Sequence, residues 1–320
     1  MKTFDADATR RALPFARLIP AIERLFVEGC EVPPRHVHQI AGADGVQGTV
    51  LVMPAWRAES YLGIKTVTVH PGNAQRGLPA LHSTYLLHDA RTGVPVALID
   101  GNEITSRRTA AASALAASRL ARPDARRLLV LGAGRVARLL PEAYRCVRPI
   151  DQVRVWNRST AGAAEAVALL RAQGFAAEAV TDLAAAVGEA DIVSSATLST
   201  EPLIHGAWLR PGSHLDLIGS FTPQMRETDD DCYAGAQLFV DTAEALAKSG
   251  DLLGPMARGV FAAGDVQGTL AELCRGSRAG RRSADERTVF KSVGTALEDL
   301  AAAMLVVEAT SAGAGRRSDF

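Results

Sequence analysis

The feature that most constrains this chain lies near its middle, where an apolar run, Arg127–Leu131, stops at Gly-Ala-Gly-Arg-Val-Ala (Gly132–Ala137) and a helical pattern follows. A short buried strand, a glycine turn and a helix in succession predict a parallel α/β unit, since a strand covered on both faces reads as continuously apolar. Gly132 permits the tight turn, Gly134 lets the main chain approach a pyrophosphate, and Ala137 lets helix and strand pack closely. The free N–H groups of the first helical turn, those of Arg135 and Val136 among them, then face an anion with the helix dipole behind them. The same glycines alone would fit an ordinary strand-to-helix turn; the flanking strand and helix make a dinucleotide site the better account.

The chain beyond this point keeps alternating. Strand Gln152–Trp156, helix Ala161–Gln173, strand Ala176–Val180, helix Thr181–Gly188 and strands Ile192–Ser195 and His214–Leu217 predict a doubly wound parallel sheet. The first third reads differently. Leu18–Glu28 fits an amphipathic helix, and Gly48–Pro54, Tyr61–His70, Ala80–Asp89 and Val94–Asp100 fit strands of a hairpin sheet, with turns at Pro71-Gly72-Asn73 and Thr92-Gly93. An alanine-rich helix, Thr109–Arg122, stops before Pro123. The expected fold class is therefore α/β: a Rossmann domain over residues 123–291 beside a smaller α+β domain over 1–122. The last helix, Ser292–Glu308, and the Gly/Ser/Arg-rich tail to residue 320 are expected to pack back on the smaller domain.

Length and charge bound the rest. With 320 residues and 48% hydrophobic content, two domains can each bury a core. Thirty-five Lys+Arg against 35 Asp+Glu leave a net charge of zero, so no global field draws in nucleic acid or an anionic membrane. Any acidic ligand must be held by local cations. No apolar run reaches the ~18–20 residues of a membrane span, and charges at Asp5, Asp7, Arg10, Arg11 and Arg17 interrupt the N-terminal stretch, which predicts a cytoplasmic protein. Cys30, Cys146, Cys232 and Cys274 lie far apart without a ligand pattern, and Asp229-Asp230-Asp231 read as acids at a helix start, so no metal is expected.

The end of the second Rossmann strand selects the dinucleotide. NAD-specific sites place an acid there for the ribose 2′-hydroxyl. Here the strand runs into Asn157-Arg158-Ser159 with no acid. Asn157 suits the ribose, while Arg158 as charge partner and Ser159 as donor suit a 2′-phosphate. NADPH is the expected cofactor and NADH the alternative. A second set of cations precedes the Rossmann domain: Arg35 after Pro33-Pro34, Lys65 in mid-strand, and Arg108 opening the alanine-rich helix. Converging on a cleft they would capture a small carboxylate, arginine by its planar fork and lysine by a movable ammonium. Taken singly, each is an ordinary surface charge.

These residues carry a resemblance over nearly the whole chain to the ornithine cyclodeaminase and mu-crystallin family. The matching segments are Pro34-Arg35, Gly63-Ile-Lys65 with Pro71-x-Asn73, Arg108-Thr-Ala-Ala-Ala-Ser-Ala, the Gly132 turn, Ala190-Asp191-Ile-Val, Ile218-Gly219 and Ser292-Val293-Gly294. The resemblance implies a homodimer whose first domain supplies the dimer sheet and the substrate pocket, while the Rossmann domain brings the nicotinamide. It makes Arg35, Lys65 and Arg108 substrate ligands, with Arg108 also among the cofactor contacts. Asn157 becomes a ribose contact, Thr197 and Gly219 lie on the nicotinamide side, and Ser292 and Val293 close the pocket against cofactor and substrate. His82 and His88 read as sheet or interface histidines.

One departure separates the family's activities. Where cyclodeaminases read Gly-Gly-Asp-x-Pro-Gly-Lys with an acid/base aspartate, this chain reads Gly219-Ser220-Phe221-Thr222-Pro223-Gln224-Met225. A phenyl ring neither takes nor gives a proton. Ala80, where some relatives carry a cofactor-contacting threonine, is a smaller departure. The branch with Gly-Ser-Phe-Thr-Pro-x-Met-Arg-Glu reduces cyclic imines, so the resemblance implies reduction of Δ1-pyrroline-2-carboxylate to L-proline, and of Δ1-piperideine-2-carboxylate to L-pipecolate. In that case Phe221 covers the substrate ring, Arg35 and Arg108 fix its carboxylate, and Lys65, its pKa lowered beside the arginines, delivers the proton. Ornithine cyclodeamination, an alanine-dehydrogenase-like amination of an oxo acid, and a non-enzymatic binder of NADPH and a small ligand are the alternatives.

Overall fold

The computed structural model describes residues 1–42 and 45–314. The chain divides into two units, one of Met1–Arg108 with Thr295–Phe320 and one of Thr109–Gly294.

The first unit is built on a six-stranded sheet of β1 (Lys2–Phe4), β2 (His36–Gly42), β3 (Gly45–Trp56), β4 (Tyr61–Val69), β5 (Leu81–Asp89) and β6 (Pro95–Asp100), in spatial order β1-β6-β5-β4-β3-β2. β1 runs parallel to β6 and the other pairs are antiparallel. Side chains alternate between the two faces with period two. Met53, Ala55, Lys65, Val67, Tyr85, Leu87, Ala97 and Ile99 occupy the buried face. Helix Ala296–Ala314 lies along β3 and β4 on that face, and helix Phe15–Glu28 packs on it in turn. Leu18, Ile19, Ile22, Leu25 and Phe26 recur at helical spacing and are buried, each large side chain stabilising the unit by roughly 1.5–3 kcal/mol. β1 and β2 went unpredicted. Every residue of β2 is exposed, so an edge strand without a buried face carries no alternation to read.

The second unit is an all-parallel sheet of β7 (Arg127–Leu131), β8 (Gln152–Trp156), β9 (Ala176–Ala179), β10 (Ile192–Ser195), β11 (His214–Leu217), β12 (Gln237–Val240), β13 (Gly268–Thr269) and β14 (Thr288–Lys291). Its order is β13-β12-β14-β11-β10-β7-β8-β9. From β7 the chain steps outward through β8 and β9, then returns to lay β10 on the other side of β7. That reversal creates a crevice at the carboxyl ends of β7 and β10, where doubly wound sheets take their ligands. No helix among the described residues is long and apolar enough to cross a membrane.

Two boundaries differ from those expected. The alanine-rich helix begins at Gly101, because the Asp100 carboxylate accepts from the Glu103 N–H at 2.7 Å and caps the first turn. The contacts divide the chain within this helix, after Arg108, instead of at residue 122. Its later turns belong with the parallel sheet: the Ser113 hydroxyl donates to Asp216 at 3.1 Å, and the Leu120 carbonyl accepts from Arg281 at 2.7 Å and Thr288 at 2.9 Å. At the other end, the last helix starts at Ala296, four residues later than expected. Gly294, at φ 78°, makes a left-handed turn first. The helix is described to Ala314, and the rest of the predicted tail, residues 315–320, lies outside the described residues.

Candidate active site

The glycine turn after β7 has the form its sequence predicts. Gly132 sits at φ 106°, and a Cβ there would come within 2.7 Å of the Ala196 carbonyl oxygen just beyond β10. Only glycine lets these two loops close on each other. A Cβ on Gly134 would meet nothing within 4 Å, so the main chain is open on that side. Gly134 caps helix Arg135–Arg145 with extended backbone and no side-chain hydrogen bond, which leaves the first-turn N–H groups for a ligand. Arg138 braces the turn, donating to the Ala133 carbonyl at 2.8 Å and pairing with Glu165 at 3.0 Å. An open approach, an uncapped helix start of three turns and a small buried Ala137 together fit a dinucleotide pyrophosphate.

After β8, the Asn157 amide donates to the Ser159 carbonyl at 3.0 Å, and Ser159 caps the next helix by accepting from the Gly162 N–H at 3.3 Å. The Ser159 hydroxyl proton stays available to a ligand. Arg158 is exposed and makes no hydrogen bond or ion pair with another described residue.

Sequence reasoning gave no role to Glu227, which organises the other side of the crevice. Fully buried, it accepts from the Ser195 hydroxyl at 2.6 Å, the Thr197 N–H at 2.9 Å, the Thr197 hydroxyl at 2.8 Å and the Gly219 N–H at 2.7 Å. One carboxylate thus clasps the loops that follow β10 and β11, each carrying a predicted cofactor contact. Burial pushes its pKa up, against the Lys291 charge and these hydrogen bonds. Behind it, Asp251 accepts from the Glu227 and Thr228 N–H groups and pairs with buried Lys291 at 3.3 Å. Asp241 likewise fixes the turn at Ser292, accepting from the Val293 and Gly294 N–H groups at 2.7 and 2.6 Å. Ser292 is buried, and the half-buried Val293 packs against this unit's core. Phe221 stands 45% exposed in the loop after β11. Asp229, Asp230 and Asp231 do open a helix, a short 3-10 turn over Asp230–Cys232 with Asp229 at its N-cap: Asp229 bonds His205 and the Gly206 N–H, and Asp230 pairs with Arg226 and Arg258.

Within the first unit, Lys65 and Arg108 come together, and neither is a bare cation. Lys65 is 2% exposed on β4, and its ammonium lies 2.5 Å from an Asp299 carboxylate oxygen. Arg108 donates through Nε to the other Asp299 oxygen at 3.0 Å and through Nη1 to Glu298 at 2.6 Å. Glu298 and Asp299 are both fully buried. Sequence reasoning missed them, although two acids opening a helix whose next eight residues are all apolar are a signal, because buried carboxylates must be paired. Burial lowers the Lys65 pKa to about 8, with Arg108 acting in the same direction and Asp299 opposing. Burial alone would raise the Asp299 pKa, but Lys65 and Arg108 outweigh it and hold the acid below its ordinary value.

The rest of the buried face supports this cluster. Tyr85 pairs with Lys65 across β4 and β5. Its hydroxyl is buried without a hydrogen-bond partner among the described residues and lies where a Cβ on Gly63 would be, 1.9 Å away. Gly63 thus makes the room that the tyrosine fills. Neighbouring Arg107 takes a structural part, donating to the Leu13 carbonyl at 2.7 Å over the Phe15 ring. Arg35 is half-buried just before β2. The paired register of β2 begins only at His36, so no strand pairing among the described residues brings Arg35 to Lys65.

Comparisons with known proteins place the whole chain among its relatives. A family model described as ornithine cyclodeaminase/mu-crystallin family matches residues 11–314. The chain is 47% identical over 255 residues to a Delta(1)-pyrroline-2-carboxylate reductase of Paracoccus denitrificans (strain Pd 1222), which covers 79% of this chain and 81% of that protein. The structure of Thermococcus litoralis Delta(1)-pyrroline-2-carboxylate reductase in complex with NADH and L-proline matches with a TM-score of 0.91 at 32% identity, over 98% of each chain. An archaeal alanine dehydrogenase dimer with bound NAD matches with a TM-score of 0.88 at 28% identity, over 98% of this chain and 97% of that one. With the family model spanning almost its whole length, the chain belongs to the ornithine cyclodeaminase/mu-crystallin family.

Proposed function

We propose that this protein uses NAD(P)H, with a preference for NADPH, to reduce a cyclic imino acid: Δ1-pyrroline-2-carboxylate to L-proline, with Δ1-piperideine-2-carboxylate to L-pipecolate as a second reaction. The observation that carries this function is the buried Lys65–Asp299–Arg108 cluster in a chain whose residue 221 is a phenylalanine. Such a site can clamp a carboxylate and protonate a nitrogen, yet it has no carboxylate at position 221 to serve an amine-expelling reaction.

Imine reduction adds a hydride to carbon and a proton to nitrogen. The nicotinamide, when bound, supplies the hydride. Gly132, Gly134 and the N–H groups of Arg135 and Val136 hold its pyrophosphate, Asn157, Arg158 and Ser159 its adenosine ribose and 2′-phosphate, and Thr197, Gly219 and Ser292 the nicotinamide side. Asp299 and Glu298 occupy Nε and Nη1 of Arg108, so Nη2 is the nitrogen that the fork offers to the substrate carboxylate, with Arg35 as second ligand. Phe221 and Val293 cover the apolar ring. Lys65, with a pKa of about 8, is mostly protonated at neutral pH and gives its proton to the substrate nitrogen. The protein acts as a homodimer.

Loss of NADPH absorbance with each imine, beside pyruvate plus ammonia and ornithine plus NAD, tests this function. Turnover of the imines without added ammonia is expected. Ornithine yielding proline at a comparable rate would overturn the role given to Phe221, and turnover confined to pyruvate plus ammonia would make the protein an amino-acid dehydrogenase.

A further inference from the structure

We propose that Asp299 is a positioning residue: by bridging Lys65 and Arg108 it fixes the Lys65 ammonium as proton donor to the substrate nitrogen, while Glu298 holds Arg108 in register. This inference rests on the imine reduction proposed above and concerns residues to which neither the glycine turn nor the phenylalanine loop points.

The geometry is specific. The two oxygens of one carboxylate are divided between two cations, Oδ2 to the Lys65 ammonium at 2.5 Å and Oδ1 to Arg108 Nε at 3.0 Å. A second carboxylate, one residue earlier on the same helix turn, takes Arg108 Nη1 at 2.6 Å. All four side chains are buried. A flexible lysine on a strand would otherwise have several rotamers; here ion-pair contact with one buried carboxylate oxygen sets where its nitrogen lies. Two cations and two acids also cancel, so the cluster does not capture anions by net charge alone, and placement is what the acids contribute.

The charge around Lys65 gives this role a pH signature. Asp299 and Glu298 face it from helix Ala296–Ala314, Arg108 from helix Gly101–Leu120, and the neutral Tyr85 phenol from β5. The acids favour the ammonium; burial and Arg108 disfavour it. In the reaction, an N–H bond forms as the Lys65 N–H bond breaks, the imine carbon gains the hydride from the reduced dinucleotide, and the neutral lysine regains its proton from water. Turnover therefore needs protonated Lys65 and falls as pH rises through its pKa.

Lysine labelled with carbon-13 at the ε position reports Lys65 by NMR in the protein alone, with the resonance assigned by its loss in Lys65→Met. In Asp299→Asn the Lys65 midpoint should fall by about one to three pH units, and the alkaline limb of kcat/KM should move by the same amount. Asp299→Glu keeps the charge but shifts its place, so the midpoint should stay near that of the wild type while kcat falls about ten- to a hundredfold. If Asp299→Asn does not fold, Asp299→Glu carries the test. An unmoved Lys65 midpoint in Asp299→Asn overturns the proposal, as does wild-type turnover in Asp299→Glu. Failure of the imine-reductase function would look different: no imine turnover by the wild type, with the Lys65 shift intact.

Discussion

In the function proposed above, Arg158 is the side chain on which cofactor choice turns. Its neighbours are partly committed, Asn157 to the Ser159 carbonyl and Ser159 to the Gly162 N–H, whereas Arg158 stands exposed with its charge unspent on any described residue. A charge-assisted hydrogen bond contributes roughly 1.5–3 kcal/mol, equivalent to a roughly ten- to 150-fold change in affinity. Arg158→Ala should therefore weaken NADPH binding within that range while leaving NADH nearly unchanged, as read by nucleotide fluorescence titration at fixed salt. Equal losses for both nucleotides would show that Arg158 serves the part they share, and no loss for either would show that it holds neither. In the same proposal Phe221 acts in the opposite sense, through what it lacks: with an exposed ring in place of an acid, Lys65 would be the proton source.

Among the elements, the loops after β10 and β11 depend on one carboxylate. Glu227 accepts four hydrogen bonds from three residues. Glu227→Gln replaces an acceptor oxygen with a donor, so at least one of those N–H or O–H groups is left facing another donor, at a cost of about 1–3 kcal/mol. A melting temperature lower by several degrees is expected, together with a several-fold weaker dinucleotide, because Thr197 and Gly219 shift. A lower melting temperature with unchanged dinucleotide affinity would leave Glu227 a purely structural group. The glycine turn was legible from sequence since its geometry is local: strand, glycines and helix are contiguous. The Glu227 clasp and the Asp299 bridge were not. Arg108 and Asp299 lie 191 residues apart, and two acids in a helix's first turn look like partners of its dipole until the fold shows which face turns to the sheet. The missed edge strand β2 and the late start of the last helix have the same origin, tertiary placement without a local pattern.

For the molecule as a whole, the outer face of the first unit's sheet bears on assembly. The buried face carries the Lys65–Asp299–Arg108 cluster, and part of the opposite face is apolar. Pro54 pairs with Ile64, Ile64 with Leu86, and Leu86 with Leu98, which lays an apolar row across four strands, with Trp56, Leu62 and His88 forming the next. These residues are only half-buried, whereas the helices Phe15–Glu28 and Ala296–Ala314 lie on the Lys65 side of the sheet. A contiguous apolar patch on a chain of zero net charge invites association, since neither water nor self-repulsion favours leaving it open. The homodimer proposed above would place this face against its own copy, in the isologous manner of two-fold dimers. Leu86→Arg, at the centre of the row, would then set two unpaired charges in the interface and convert dimer to monomer, as read by light scattering at micromolar concentration. The substituted residue points away from Lys65, so the Lys65 titration should stay as in the wild type. A dimer of unchanged stability in both Leu86→Arg and Ile64→Arg would place the interface elsewhere on the protein.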